Sequence, residues 1–391
     1  TPGAPGSITG WRMIRNGIVA LLLAGWPVVA GPPEVVVYPQ PGLPLFAVRV
    51  SVPVDGPEMA AAVRALQLLA EQRLEAAAAE WGARVELGVR DGHAVWALAG
   101  PAAAFEPLVA ALRRAFEIGG AAAELRAAGV RAGLELRAGA EIPERELRDR
   151  LRRQLGGGGA PAWSAPDLDP RTIEALGGMA FRPERMRVVV VGGVDAGMAE
   201  AAFRDWPEPR FTPPTGLASA GTEEAPELPP PEVVYPWLGL AYPLPGATAA
   251  AVAVAARMLE DRIAHPQLRS LAVEAWWSAS GPALVLTASF VPPLSGDAVA
   301  GALRGAVTDA ARTLTTGDAL AAAQAVRRGV LLAARSPAGL AELVGGFADR
   351  TGDMRAAHSF LDDLETVDFH LVAAVLERVG SALPLIAEVR P

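Results

Sequence analysis

The sequence runs to 391 residues, long enough for two domains with sizeable cores, and its 51% hydrophobic and 20% charged content is that of an Ala-rich globular chain rather than a disordered or collagen-like one. A formal net charge of -8 argues against a nucleic-acid surface, which needs a basic face to neutralise phosphates. The absence of cysteine removes disulfides, Cys-ligated zinc, iron-sulfur clusters and thiol catalysis together, and the basic residues, all arginine, read as the composition of a GC-rich genome.

At the N-terminus, Arg12 and Arg15 precede the apolar run from Ile18 to Gly25, and Val28-Val29-Ala30 puts a small residue at a cleavage-like position before Gly31. This pattern predicts a secretory signal starting at Met13, so residues 1–30 are read as leader and signal peptide and a periplasmic or secreted location is expected. The run is shorter than the roughly 20 apolar residues that span a bilayer, and the alternative is an uncleaved anchor. No later stretch reaches transmembrane length without charges or Pro, which predicts no stable membrane insertion after cleavage.

Residues 31–207 read as one α+β unit. Strands are predicted over Glu34 to Tyr38 and Leu45 to Val52, followed by a helix from Pro57 to Trp81 with the apolar stripe Met59, Val63, Leu66, Leu69 and Leu74. A hairpin over 84–89 and 94–99 turns at Asp91-Gly92, a strong turn pair. Helices follow over Ala103 to Phe116, Ala121 to Ala138 and Glu144 to Leu155, then a short one with Asp169 at its cap. Phe181-Arg182-Pro183 enters a buried strand, Met186 to Val191, and Gly192-Gly193-Val194-Asp195 turns into a helix ending at Trp206-Pro207. Taken alone that turn imitates a phosphate loop, but it lacks both Gly-x-Gly-x-x-Gly and Gly-Lys-Ser/Thr.

Residues 208–231 are Pro-rich, with Gly, Ser, Thr and Glu between the prolines, and are read as a semi-stiff linker. The unit at 232–391 begins with a strand from Val233 to Tyr242 and an Ala-rich helix carrying Val252, Ala255, Met258 and Leu259. A short helix is predicted over Ile263 to Val273, and then a hairpin-like pair from Trp276-Trp277 to the alternating run Leu284 to Phe290. The two units share an order of strand, helix, hairpin and helix, which suggests a diverged internal duplication.

The stretch "LEDRIAHPQLRSLAVEAWWSASG", together with "FRPERMRVVVVGGVDAGMAEAAFRDWP", resembles the insulinase-like zinc peptidases of the M16 or pitrilysin clan. In that family the first stretch reads Leu-rich helix, Ser-Arg-Leu, Leu-Arg-Glu and Gly-Leu-Ala-Tyr. The second reads Tyr-x-Pro-x-Asn-Met, an apolar strand, Val-Gly-Asp-Val, a helix and a Trp-Pro or Phe-Gly end. Arg262 matches the first Arg, Leu268-Arg269 the Leu-Arg pair, and Trp276 stands where the family has Tyr. The resemblance implies an α+β fold of two homologous M16 metallohydrolase-type domains, each a mostly antiparallel sheet packed with helices. It also implies that Arg269 and Trp276 lie where family residues hold the substrate.

Active members of the family carry His-x-x-Glu-His on the first long helix, two imidazoles one turn apart for zinc and a glutamate as general base. Alignment on that helix places the motif on Gln67-Leu68-Leu69-Ala70-Glu71, so both His and the central Glu are missing. Gln67 with Glu71 is a poor zinc site by ligand count and softness, and downstream only Glu135 is on offer. No zinc or other cofactor is expected. His93, His265, His358 and His370 lie beyond helical reach of one another, and each reads as a turn or surface residue unless the fold pairs them. Gly-x-Ser-x-Gly occurs nowhere, and the carboxylate pairs Glu223-Glu224 and Asp362-Asp363 read as a solvated loop and a first-turn charge preference. The glycine run at 156–159 reads as a plain connection or as a gate touching substrate. Trp163 and Trp276-Trp277 read as core or as interface anchors.

The resemblance implies a non-catalytic subunit that pairs with an active zinc peptidase subunit and supplies part of a peptide-binding chamber. The alternatives are a peptidase with a displaced metal site and a scaffold subunit of a larger complex. Arg269 has its own alternative, an ion pair with Glu274 or Asp261.

Overall fold

The computed structural model describes residues 27–28, 33–117, 120–140, 142–156, 168–204, 206, 235–263, 268–278 and 281–390. The linker, His265, Trp163 and most of the signal region and of the glycine run fall outside these residues. The continuous Val runs at 35–37 and 188–191 become strands buried on both faces. β2 (Glu34–Pro39), β3 (Leu45–Pro53), β4 (Arg84–Arg90), β5 (His93–Pro101) and β6 (Arg187–Gly192) form one sheet, with the two-residue β1 (Pro27–Val28) at its edge, in the order β1-β2-β6-β3-β5-β4. Only the β2-β6 pair is parallel. The second sheet, β7 (Trp237–Pro243), β8 (Leu268–Ser278), β9 (Gly281–Phe290) and β10 (Leu385–Val389), runs β10-β7-β9-β8 and is antiparallel throughout.

The repeat predicted from element order is visible in the pairing. In the first sheet β3 lies between β6 and β5, with β4 outside β5; in the second, β7 lies between β10 and β9, with β8 outside β9. Each core motif is a strand, a long helix and a hairpin: β3, α1 (Pro57–Glu80) and β4-β5 in the first, β7, α7 (Ala249–Arg262) and β8-β9 in the second. Between hairpin and β6 run α2 (Phe105–Ala115), α3 (Ala122–Ala140), α4 (Pro143–Gln154) and α5 (Pro170–Ala180), with α6 (Ala196–Arg204) after β6. Between hairpin and β10 run α8 (Gly296–Thr313), α9 (Thr316–Ala334), α10 (Pro337–Thr351), α11 (Ala356–Thr366) and α12 (Phe369–Ser381). None of the described helices is by itself long and apolar enough to cross a membrane.

Each sheet has two covered faces because strand side chains alternate. In the first sheet Val35, Val37, Phe46, Val48, Val50 and Val188 face α1 and its neighbours, whereas Val36, Ala47, Val189 and Val191 join the core of the C-terminal half. The helix covering that second face is α10. Reciprocally, α4 leaves the N-terminal half and packs Leu147 and Leu151 against Ala241, Val285 and Val389 of the second sheet. Gly239 on β7 makes this approach possible, since a Cβ there would stand 2.5 Å from Leu151 Cδ1.

One element departs from the sequence reading, and two backbone details accompany it. Of the helix expected over Ile263 to Val273, the described part from Leu268 onward is instead the start of β8, in which Leu271, Val273, Ala275 and Trp277 alternate toward the helical core. Pro27 and Val28, ahead of the cleavage-like position, pair with Val36 and Val35. The Gly192-Gly193 turn serves close backbone packing: a Cβ on Gly192 would lie 2.3 Å from the Leu45 carbonyl oxygen and one on Gly193 1.8 Å from that of Leu43.

Candidate functional site

Helix α1 packs its Ala-rich face on the first sheet, and this places the residues matching the metal motif. Gln67 is fully buried. Its Nε2 donates to the carbonyl oxygens of Gly88, at 3.2 Å, and Val95, at 3.0 Å, which face each other across the β4-β5 ladder. Its Oε1 is buried with no donor. The side chain is thus a strut between helix and hairpin. Ala70 is buried and Glu71 half-buried on the same helix. Glu135, on α3, accepts from Arg64 Nε at 2.8 Å and from Arg131 Nε at 3.1 Å. Among the described residues no three His, Cys, Asp or Glu side chains form a group able to hold a metal.

The three described histidines, His93, His358 and His370, differ in role. His93 Nδ1 lies 3.1 Å from the Asp91 carbonyl at the hairpin turn, where Asp91 and Gly92 both take positive φ, as the turn pair predicts. His358 Nε2 is 3.3 Å from Asp362, one turn along α11, and His370 meets the ring of Phe369 edge-on.

The second sheet holds Arg269 and Trp276, both on β8. Arg269 is exposed, beside a register shift between Leu268 and Ser270, with its guanidinium 5.4 Å from the ring centroid of Tyr235. The carboxylates offered as its ion-pair partners are engaged elsewhere: Glu274 with Arg148 at 3.0 Å and Asp261 with Arg257 at 2.7 Å. Trp276 donates from Nε1 to Glu274 at 3.2 Å and carries the guanidinium of Arg152 5.0 Å over its ring, while Trp277 packs on Phe347 and Phe360. Seven residues along an extended strand, Arg269 and Trp276 stand roughly 23 Å apart, so they do not form one subsite. Arg262, at the end of α7, pairs with Asp318 at 2.5 Å.

Sequence reasoning passed over the arginines of α4. Arg148 bridges Glu144 at 2.9 Å and Glu274, and Arg152 reaches Asp91 of the hairpin turn at 2.5 Å. Their spacing along one helix was visible. That this face of α4 meets the hairpin of the first sheet was not, because the helix is exchanged between the halves.

No family model and no curated protein matches the sequence. Solved structures do: the peptidase M16 inactive domain from Pseudomonas fluorescens aligns with a TM-score of 0.69 at 12% identity, over 93% of this chain and 96% of that one. The fold is that of the M16 peptidases. The periplasmic protease PqqL from Escherichia coli aligns with a TM-score of 0.62 at 13% identity, over 93% of this chain and 45% of that one. A chain of complex III2 from Candida albicans aligns with a TM-score of 0.65 at 9% identity, over 91% and 93%. The zinc that active M16 peptidases carry does not fit the residues present here: Gln67 is an amide locked to two strand carbonyls, and Glu135 is held by two arginines.

Proposed function

We propose that this chain is a non-catalytic M16-type subunit that pairs with an active zinc peptidase subunit and supplies one wall of a peptide-binding chamber in the periplasm. The observation that carries the reading is Gln67. At the position matching the first zinc ligand of active members stands a buried side chain bonded to the sheet, so the helix that would carry the chemistry is committed to structure. The inactive domain named in the Pseudomonas fluorescens structure supports a silent member of this fold, and the PqqL likeness supports the location. Arg269 and Trp276 are the candidate substrate contacts. Arg269 offers an exposed, permanently charged fork of donors, and Trp276 a ring held by Glu274 and Arg152.

Purification from the native host tests this reading. A partner carrying His-x-x-Glu-His should co-purify, this chain alone should hold less than one zinc per molecule and cleave no unstructured peptide, and Arg269→Ala in the reconstituted pair should lower turnover with pairing intact. One tightly held zinc with chelator-sensitive cleavage by the chain alone would overturn the reading. The likeness to a complex III2 chain favours a second reading, a scaffold subunit. Recovery in a membrane complex with no peptidase partner would select it.

A further inference from the structure

A cleft of about 380 Å³ lies where the two exchanged parts meet, between the start of α1, the tip of the β4-β5 hairpin and the outward face of α4. That volume is at the lower end of the range for small-ligand sites, roughly 300–1,000 Å³. Its polar lining runs against the composition of the chain. The molecule carries a net charge of -8, yet the cleft holds four arginines, Arg90, Arg145, Arg148 and Arg152, against three carboxylates, Asp91, Glu144 and Asp149. The 24-residue α1 begins at Gly56 in the same wall with no side-chain cap, which adds the positive end of its dipole.

The arginines are held in place before any ligand arrives. Arg152 is fixed by Asp91 and by the ring of Trp276, and Arg148 by Glu144 and Glu274. After those two bonds the Arg148 Nε is buried and has no acceptor among the described residues. A buried donor without a partner is uncommon in a native structure, and a small rotation of this quarter-exposed side chain would offer it to an oxyanion bound in the cleft. Beside these groups Val54, Val89 and Ile142 supply an apolar wall.

We propose that this cleft binds a peptide carboxylate, the chain terminus or an Asp/Glu side chain, on Arg148 and its neighbouring arginines, with an adjacent aliphatic side chain against Val54, Val89 and Ile142. The proposal rests on the peptide-binding reading above and names a ligand class for it. Its test uses this chain alone, so a negative result leaves the pairing untouched, and failure to find a partner leaves the binding result standing.

The test is calorimetric titration with four probes: an acetylated aliphatic tetrapeptide with a free C-terminus, the same peptide as its amide, an amide carrying one internal Glu, and inorganic phosphate. The free acid should bind about tenfold or more tightly than the uncharged amide, the scale of one charge-assisted hydrogen bond. Arg148→Gln should remove that difference. Because Arg148 also bridges two carboxylates, a second pair of variants guards against a folding defect: Ile142 is 52% exposed at the cleft mouth. Both variants lose the same apolar contact, so Ile142→Arg should bind the acid more tightly than Ile142→Glu by charge alone, with Tm and circular dichroism unchanged. The Glu-bearing amide tells the sources apart: equal binding to the acid assigns a side-chain carboxylate, weaker binding the chain terminus. Equal affinity for acid and uncharged amide, indifference to the charge at position 142, or tighter binding of phosphate than of any peptide would overturn the proposal.

Discussion

Gln67 shows how one buried amide can tie a helix to a hairpin. Its Nε2 joins the facing carbonyls of Gly88 and Val95, so helix α1 and the β4-β5 hairpin are held in register by one amide. Replacing it by Leu keeps the volume but removes both bonds from buried carbonyls. Removal of the donorless Oε1 offsets part of the loss. Gln67→Leu should therefore lower unfolding stability by about 1–2 kcal/mol in denaturant titration and leave metal content unchanged. A neutral substitution would mean that the amide is not a strut, and a loss of bound metal would mean that it is a ligand.

At the scale of elements, the contact of α10 with β3 holds the buried charges. Arg49, 3% exposed, donates to Asp349 at 2.6 Å and to Glu342 at 3.0 Å, and Ser51 Oγ donates to the other oxygen of Asp349 at 2.6 Å. Burial depresses the basicity of the Arg49 guanidinium, the two carboxylates more than reverse this, and its pKa ends above the usual arginine value. Removing one partner leaves a charge uncompensated, which costs about 3–5 kcal/mol, whereas replacing the whole pair by apolar groups is often neutral. Asp349→Ala should thus destabilise by about 3 kcal/mol or more, and Arg49→Met with Asp349→Leu should recover most of it. A double variant as unstable as the single one would show that Arg49 contributes through packing alone.

The strands, the long helix at 57–80 and the Asp-Gly hairpin were legible because period and turn chemistry act locally. β8 was not: Ile263 to Val273 read as a short helix, while the alternation from Leu271 to Trp277 that marks a strand begins only after the register shift. The surroundings of the candidate site residues were not legible, since the partners of Gln67, Glu135 and Arg148 depend on packing between distant segments.

At the scale of the molecule, the exchange of α4 and α10 determines how the chain holds together. The N-terminal half alone would expose Val36, Ala47, Val189 and Val191, which α10 covers, and the C-terminal half would expose Ala241, Val285 and Val389, which α4 covers. It would also leave Arg49 without either carboxylate. Neither half should therefore be stable as a separate domain, although each has the strand order of one. Apolar association carries no requirement for a covalent link, and each buried aliphatic side chain contributes about 1.5–3 kcal/mol. The two halves expressed together, with the chain cut in the Pro-rich stretch at 208–231, should then assemble into a stable 1:1 complex that unfolds as one cooperative unit. Each half expressed alone should bind a hydrophobic dye and aggregate. Separate, reversible transitions for isolated halves, each with a native-like near-ultraviolet spectrum, would refute that dependence and make the exchanged helices an ornament on two autonomous domains.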